Sequence, residues 1–243
     1  MTPARFYHSS ELAPHREIFL DEAAAHHAAR VLRLKQEDAV VLFNGKGGEY
    51  PARIISISKT KLTALTGAWQ NIERESALHI TLAQAVSSTE KMDFSVQKAV
   101  ELGAAAIQPL ASQRSVVRMD AARAQKRIEH WRKVAIAACE QCGRNRVPQV
   151  AGLVSLKEFL AKAENNALRL KLSPGDGLSL KQIKYQGGEI ILLVGAEGGL
   201  TAEEEQIASS AGFTPVTLGK RIMRTETAGL AALAAIQSLW GDF

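Results

Sequence analysis

The chain is poor in cysteine, in long apolar runs and in the common nucleotide-binding fingerprints. Cys139 and Cys142 are the only cysteines in 243 residues, so a disulfide framework is ruled out and reduced thiols are expected, as in the cytosol. They form C-x-x-C, but no second pair exists and Gly143-Arg144-Asn145-Arg146 adds no further ligand. A four-ligand zinc site cannot be completed, and no metal is expected. Three-residue spacing on a helix makes the two thiols small packing groups on one face. No apolar run approaches the ~20 residues that span a bilayer, and Met1-Thr2-Pro3-Ala4-Arg5 opens no signal-peptide core. A cytoplasmic protein without membrane association is expected. Both the G-x-G-x-x-G loop and the G-K-[ST] phosphate loop are missing. There is no internal repeat and no low-complexity tract.

What is present divides the chain in two. Hydrophobic residues make up 46%, ordinary for a soluble globular protein. Over residues 1–70 the pattern is that of a small β-barrel. A short helix is expected over 21–34, with Ala25, Ala28, Ala29 and Leu32 near one stripe. Apolar runs follow at 39–43, 52–57 and 62–65. In the second, Ile55 and Ile57 alternate with Ser56 and Ser58, the period of a half-buried strand. Asn44-Gly45 between the first two runs signals a hairpin. A polar linker over 70–76 leads into residues 71–243, where strands and helices alternate. Strands are expected near 78–82, 107–110, 167–172, 190–194 and 214–218. Helices are expected over 92–102, 121–142, 156–163 and 201–211. That order argues for a mainly parallel sheet with helices on both faces.

The most informative stretch is the last fifth. The apolar run Ile190-Ile191-Leu192-Leu193-Val194 enters Gly195-Ala196-Glu197-Gly198-Gly199-Leu200-Thr201. Thr201 with Glu204 is a capping box that starts a helix directly after the glycines. A second short strand leaves through Gly219 into Lys220-Arg221-Ile222-Met223-Arg224-Thr225-Glu226-Thr227-Ala228. Two strand ends with glycine loops bring bare backbone amides and carbonyls to one crevice, where a flat ligand can lie. A solvated turn needs one cap, whereas Arg224-Thr225-Glu226-Thr227 supplies four polar side chains ahead of an alanine-rich helix.

Charge adds a second indication. The formal net charge is +5. Residues 111–150 hold nine basic against three acidic residues, a local +6, and the rest of the chain sums to −1. A solvated helix face is the plain alternative, but so few counter-charges favour a polyanion partner such as RNA.

These residues resemble the RsmE family of SPOUT-class methyltransferases, which modify N3 of a uridine in 16S ribosomal RNA. The resemblance rests on Leu193 to Thr201 and Leu218 to Ala228. It extends through Arg5-Phe6, His27 with Val31-Leu32-Arg33, Gln97 to Gly103, Gln113-Arg114-Ser115 and Glu140 to Arg144. Ala196 stands where the family usually has proline, a change that loses loop rigidity but no side-chain chemistry. The resemblance implies a C-terminal trefoil-knotted SPOUT domain over 71–243 and a PUA-like, RNA-binding barrel over 1–70. It implies S-adenosylmethionine as cofactor, held by Leu172, Ser173, Gly195, Gly198, Gly199, Leu218, Gly219, Ile222, Met223 and Thr225. Small-subunit ribosomal RNA is the implied partner.

Uridine N3 carries a proton at neutral pH, so methylation there develops negative charge over the ring. Arg224 is the candidate to stabilise it. Glu197 or Glu226 is the candidate base, or caps backbone amides; for Glu226 the structural reading is the stronger, and for Glu197 both stay open. RNA contacts are expected from Arg5, Arg33, Arg114, Arg118, Lys126, Arg127 and Arg144. The small residues over 228–236 suit close helix packing on more than one side, and a homodimer is expected. Two rivals differ in testable ways. A SPOUT ribose 2′-O-methyltransferase on transfer or ribosomal RNA places the methyl on another atom, and a non-catalytic RNA-binding module binds no cofactor.

Overall fold

The computed structural model describes residues 3–115, 120–162, 166–175 and 177–243. Arg118 lies outside them. The chain divides into two units, Met1–Glu75 with Cys139–Val147, and Ser76–Ala138 with Pro148–Phe243.

In the first unit, β1 (Ala4–Tyr7), β2 (Glu17–Leu20), β3 (Ala39–Phe43), β4 (Tyr50–Ile57) and β5 (Leu62–Thr66) form one sheet in the order β1-β3-β4-β5-β2. Only β1 and β3 run parallel. The expected barrel is a curled half-barrel whose two edge strands do not pair. Its apolar lining includes Phe6, Val40, Leu42, Ile54 and Leu62. The alternation read in β4 is interrupted by a bulge between Ile54 and Ser56. Ala52 and Ile54 therefore face the core before it and Ile57 packs there after it, while Ile55 is the extra residue. The expected helix over 21–34 is shorter. Asp21 caps α1 (Glu22–His26) by accepting from the Ala24 amide at 2.8 Å, and a wide turn over His27–Val31 follows. The chain leaves it with exposed Arg33 at φ +56°.

The linker and the segment 139–147 are tied into this unit by buried charge. Glu49 accepts from Arg5 at 2.6 Å and from Arg74 and Asn145 at 3.1 Å. Burial opposes its charge, but these three donors outweigh that and hold its carboxyl below the usual glutamate value. Asn145 also donates to the Ile72 carbonyl at 2.7 Å, and Arg144 pairs with Glu75. Cys139 is buried, and burial pushes its thiol up to about 12.

The second unit contains β6 (His79–Ala85), α2 (Thr89–Glu101), β7 (Ala106–Ala111), β8 (Gln149–Val150), β9 (Val154–Ser155), α4 (Leu156–Ala161) and β10 (Leu168–Leu172). It continues with β11 (Leu178–Ser179), β12 (Glu189–Val194), α5 (Ala202–Ser210), β13 (Thr214–Thr217) and α6 (Thr225–Trp240). Before β8, α3 (Ala121–Cys142) runs from this unit into the segment that belongs to the first. Every strand pair is parallel, in the order β11-β13-β10-β12-β6-β7-β8 with β9 also on β7. Strand alternation divides the faces. Ile191 and Leu193 pack with Leu156, Leu160, Ala208 and Phe213 of the α4–α5 side. On the other face α6 lies close to the sheet at Gly229, where a Cβ would come within 3.3 Å of Gln84 and Val194. Parallel strands point all their C-terminal ends the same way, and that edge carries the site. Among the described residues no helix is long and apolar enough to cross a membrane.

Candidate cofactor cleft

Three neighbouring strands, β13, β10 and β12, end together. Their ends line a cleft of about 500 Å³ with Leu172 at the end of β10, Ser173 and Pro174 after it, and Gly195, Ala196, Glu197, Gly199 and Leu200 after β12. Leu218 and the run from Arg221 to Thr225, after β13, complete the wall. The β12 loop turns back on itself, with the Gly199 amide donating to the Ala196 carbonyl at 2.8 Å. Gly199 sits at φ +72° with nothing within 4 Å of where a Cβ would stand. Only glycine holds that left-handed turn without strain and leaves its backbone open. The turn closes with Ala196 buried and in place, without the ring that proline would bring.

The loop is fastened from three directions. The Thr225 hydroxyl donates to the Gly195 carbonyl at 2.6 Å and accepts from Gln84 Nε2 at 3.0 Å, joining the start of α6 to the loop. Arg114 donates to the carbonyls of Gly198 at 2.7 Å and Leu200 at 3.3 Å. Lys91, in the first turn of α2, bonds Glu197 at 2.7 Å and lies 3.6 Å from Glu226. The bond to Glu197 and the two carboxylate charges hold the Lys91 ammonium above its usual value, against desolvation and, to a smaller extent, the opposing charge of Arg224. After the loop, the Thr201–Glu204 capping box is formed, with bonds of 2.9 and 3.2 Å. Buried Lys171 pairs with Glu205, which also lines the cleft.

Chemically the cleft combines apolar walls (Leu172, Val194, Val216, Leu218), open backbone groups, and charged side chains of both signs at Lys91, Glu197, Arg221 and Arg224. That suits a flat, polar-edged ligand carrying a charged tail. Among the described residues no cluster of His, Cys, Asp or Glu could hold a metal ion.

Residues 74–237 match the model of an RNA methyltransferase domain, and residues 20–66 match that of an RNA methyltransferase PUA domain. The first match alone covers well over half of the chain. The chain belongs to the ribosomal RNA small subunit methyltransferase E family. The relative of that name from Buchnera aphidicola (strain APS) is 34% identical over 241 residues, covering 98% of this chain and 94% of the relative. That from Bacillus subtilis is 34% identical over 220 residues, covering 87% and 86%. The crystal structure of the family's enzyme from Neisseria gonorrhoeae, bound to S-adenosyl methionine, is 42% identical over the whole of both chains with a TM-score of 0.92. A putative methyltransferase from Legionella pneumophila, in complex with the same cofactor, is 36% identical with a TM-score of 0.96, again over both whole chains.

Of the ten residues expected around a cofactor, Leu172, Ser173, Gly195, Gly199, Leu218, Ile222, Met223 and Thr225 line the cleft, as do Glu197 and Arg224. Gly198 and Gly219 lie in the same loops without lining it, and Ile222 is 82% exposed. The expected RNA contacts fare differently. The side chains of Arg5 and Arg144 are only 8% and 6% exposed and pair with Glu49 and Glu75, so most of their charge is balanced inside the first unit. Arg114 braces the β12 loop through its carbonyls. Arg33 and Lys126 are exposed and Arg127 is half-buried. Lys91, Glu205 and Arg221 line the cleft and were not expected there. For Lys91 the sequence carries no signal, because its partners lie 106 and 135 positions further along the chain.

Proposed function

We propose that this protein transfers a methyl group from S-adenosylmethionine to N3 of a uridine in 16S ribosomal RNA. The observation that carries the reading is the cleft at the ends of β10, β12 and β13, in a chain alike over its full length to the cofactor-bound Neisseria enzyme. When bound, the cofactor supplies a methyl group already activated on a sulfonium. The chain's own task is to hold donor and acceptor close, in line and dry. Leu172, Ser173, Leu218, Ile222, Met223 and Thr225, with the glycine backbone at 195 and 199, hold the adenosyl group, and Gly198 and Gly219 shape the loops that carry them. The Glu197 carboxylate takes the N3 proton, which leaves the nitrogen lone pair free to accept the methyl. Arg224, exposed at the lip and without a capping bond of its own, stabilises the negative charge on the ring and its oxygens.

The remaining parts follow from the same reading. Residues 1–70 serve as the PUA-like RNA-binding domain and 71–243 as the SPOUT methyltransferase domain, its last segment threaded as a trefoil knot. Arg33, Lys126 and Arg127 meet RNA phosphates. Two copies pair through α6, where half-buried Ala231, Ala234 and Ala235 lie beside exposed Leu239. The protein acts in the cytoplasm. The test is incubation with S-adenosylmethionine and 16S RNA, free or in small subunits, followed by mass spectrometry of the digested nucleosides. N3-methyluridine is expected. A methyl on the ribose moves the assignment to a 2′-O-methyltransferase, and neither transfer nor calorimetric cofactor binding leaves only an RNA-binding module.

A further inference from the structure

The first glycine loop carries a single charged side chain, Glu197, on a backbone chosen for lack of side chains. Nothing within the loop orients that carboxylate. Its orientation comes from outside, through Lys91 at 2.7 Å. The same ammonium lies 3.6 Å from Glu226 in the first turn of α6, so one cation joins two segments that both line the cleft. The Lys91 side chain is 26% exposed and that of Glu226 14%. Glu226 Oε2 is buried and, among the described residues, has no hydrogen-bond partner. A carboxylate so placed needs a nearby positive charge, and Lys91 provides it. Partly exposed ion pairs contribute little to stability, so the consequence of this one lies in geometry. Arg221, Arg224 and Glu205 line the same cleft, but no bond of theirs reaches Glu197 or Glu226 among the described residues.

We propose that Lys91 is the positioning residue of methyl transfer: it holds the Glu197 carboxylate against the start of α6, in the orientation from which it accepts the uridine N3 proton. This rests on the reading of Glu197 as the base. Lys91 touches neither reacting atom; it acts through Glu197. A small displacement of a reacting group is enough to slow a reaction strongly, so the effect falls on the rate and not on cofactor affinity.

The experiment is single-turnover methyl transfer at saturating RNA and cofactor, with Lys91→Met, Lys91→Gln, Lys91→Arg, Glu197→Gln and the double variant Lys91→Met/Glu197→Gln. Lys91→Met is expected to slow transfer about tenfold or more, a part of what a positioned base contributes. Its calorimetric cofactor Kd should stay within about threefold of wild type, since the adenosyl contacts are untouched. Lys91→Arg should recover most of the rate. The decisive readout is the cycle: the double variant should be no slower than Glu197→Gln alone. Multiplying losses, or a wild-type rate in Lys91→Met, overturn the proposal. Should Lys91→Met fail to fold, Lys91→Gln takes its place in the cycle, and the same two results support or overturn the role. A wild-type protein that makes no N3-methyluridine refutes the function itself, whereas an active wild type with an indifferent Lys91 refutes only this role.

Discussion

Thr225→Val isolates the link between α6 and the β12 loop. Valine keeps the shape of threonine and replaces its hydroxyl with a methyl, so packing at this buried first helical position is retained. Two bonds are lost, 2.6 Å to the Gly195 carbonyl and 3.0 Å from Gln84 Nε2. Gln84 keeps a bond to the Ala85 carbonyl at 3.1 Å, so its amide is only partly stranded. The Gly195 carbonyl lies at the half-buried lip of the cleft, where water replaces some of the loss. A buried polar group left unpaired costs about 1–3 kcal/mol, and these two circumstances place the loss in the lower half, about 1–2 kcal/mol. For a chain of this length each kcal/mol lowers the melting temperature by about 2–4 °C, so a drop of about 2–8 °C is expected. Thermal unfolding followed by circular dichroism measures it, with Thr225→Ser as the control that restores the hydroxyl. Calorimetry should also find weaker cofactor binding, because the glycine loop loses its tie. A variant that melts within a degree of wild type and binds cofactor equally well refutes the view that this hydroxyl organises the cleft.

Other perturbations separate binding, chemistry and stability. Gly199→Val puts a β-branched residue at φ +72° with its side chain directed into open space, so cofactor binding in calorimetry should fall severely and methyl transfer with it. Arg224→Ala should leave cofactor affinity near normal and slow single-turnover transfer about a hundredfold or more, the scale of losing one charge-stabilising donor; an unchanged rate removes Arg224 from the mechanism. Charge reversal at Lys126 and Arg127 should flatten the salt dependence of RNA binding by roughly 0.7 to 0.9 per lost phosphate contact, and an unaltered slope means that face is only solvated. Glu49→Gln leaves buried Arg5 without its counter-charge and should destabilise the protein by about 3 kcal/mol near neutral pH. Because the folded carboxyl of Glu49 lies below its ordinary value of 4.5, its contribution is present above that value and fades as pH falls through the folded one. The gap between wild type and Glu49→Gln in denaturant unfolding should therefore close on acidification, and a gap that widens contradicts the assignment.

Local chemistry was enough to locate much of this protein. The long helix expected from Ala121 to about Cys142 is found as α3, and Thr201 with Glu204 marks the start of α5, because a helix and its cap are determined within a few positions. The two glycine loops were legible for the same reason: positive φ and open backbone are properties of the residue itself. The bulge in β4 was not, since Ile55 and Ile57 alternate as a regular strand does and only pairing with β5 shows the extra residue. Nor was the difference between a basic residue that faces solvent and one that does not. Arg144 and Lys126 read alike in a charged stretch, yet Glu75 lies 69 positions from Arg144 and neutralises it in a buried pair. Lys91 is the same case within the cleft. Ion pairs formed across long loops leave no periodic trace, because Coulomb attraction depends on distance in space and not on order along the chain. The amino-acid sequence by itself therefore determined which backbone forms the cleft, and only the tertiary structure decided which charges stand around it.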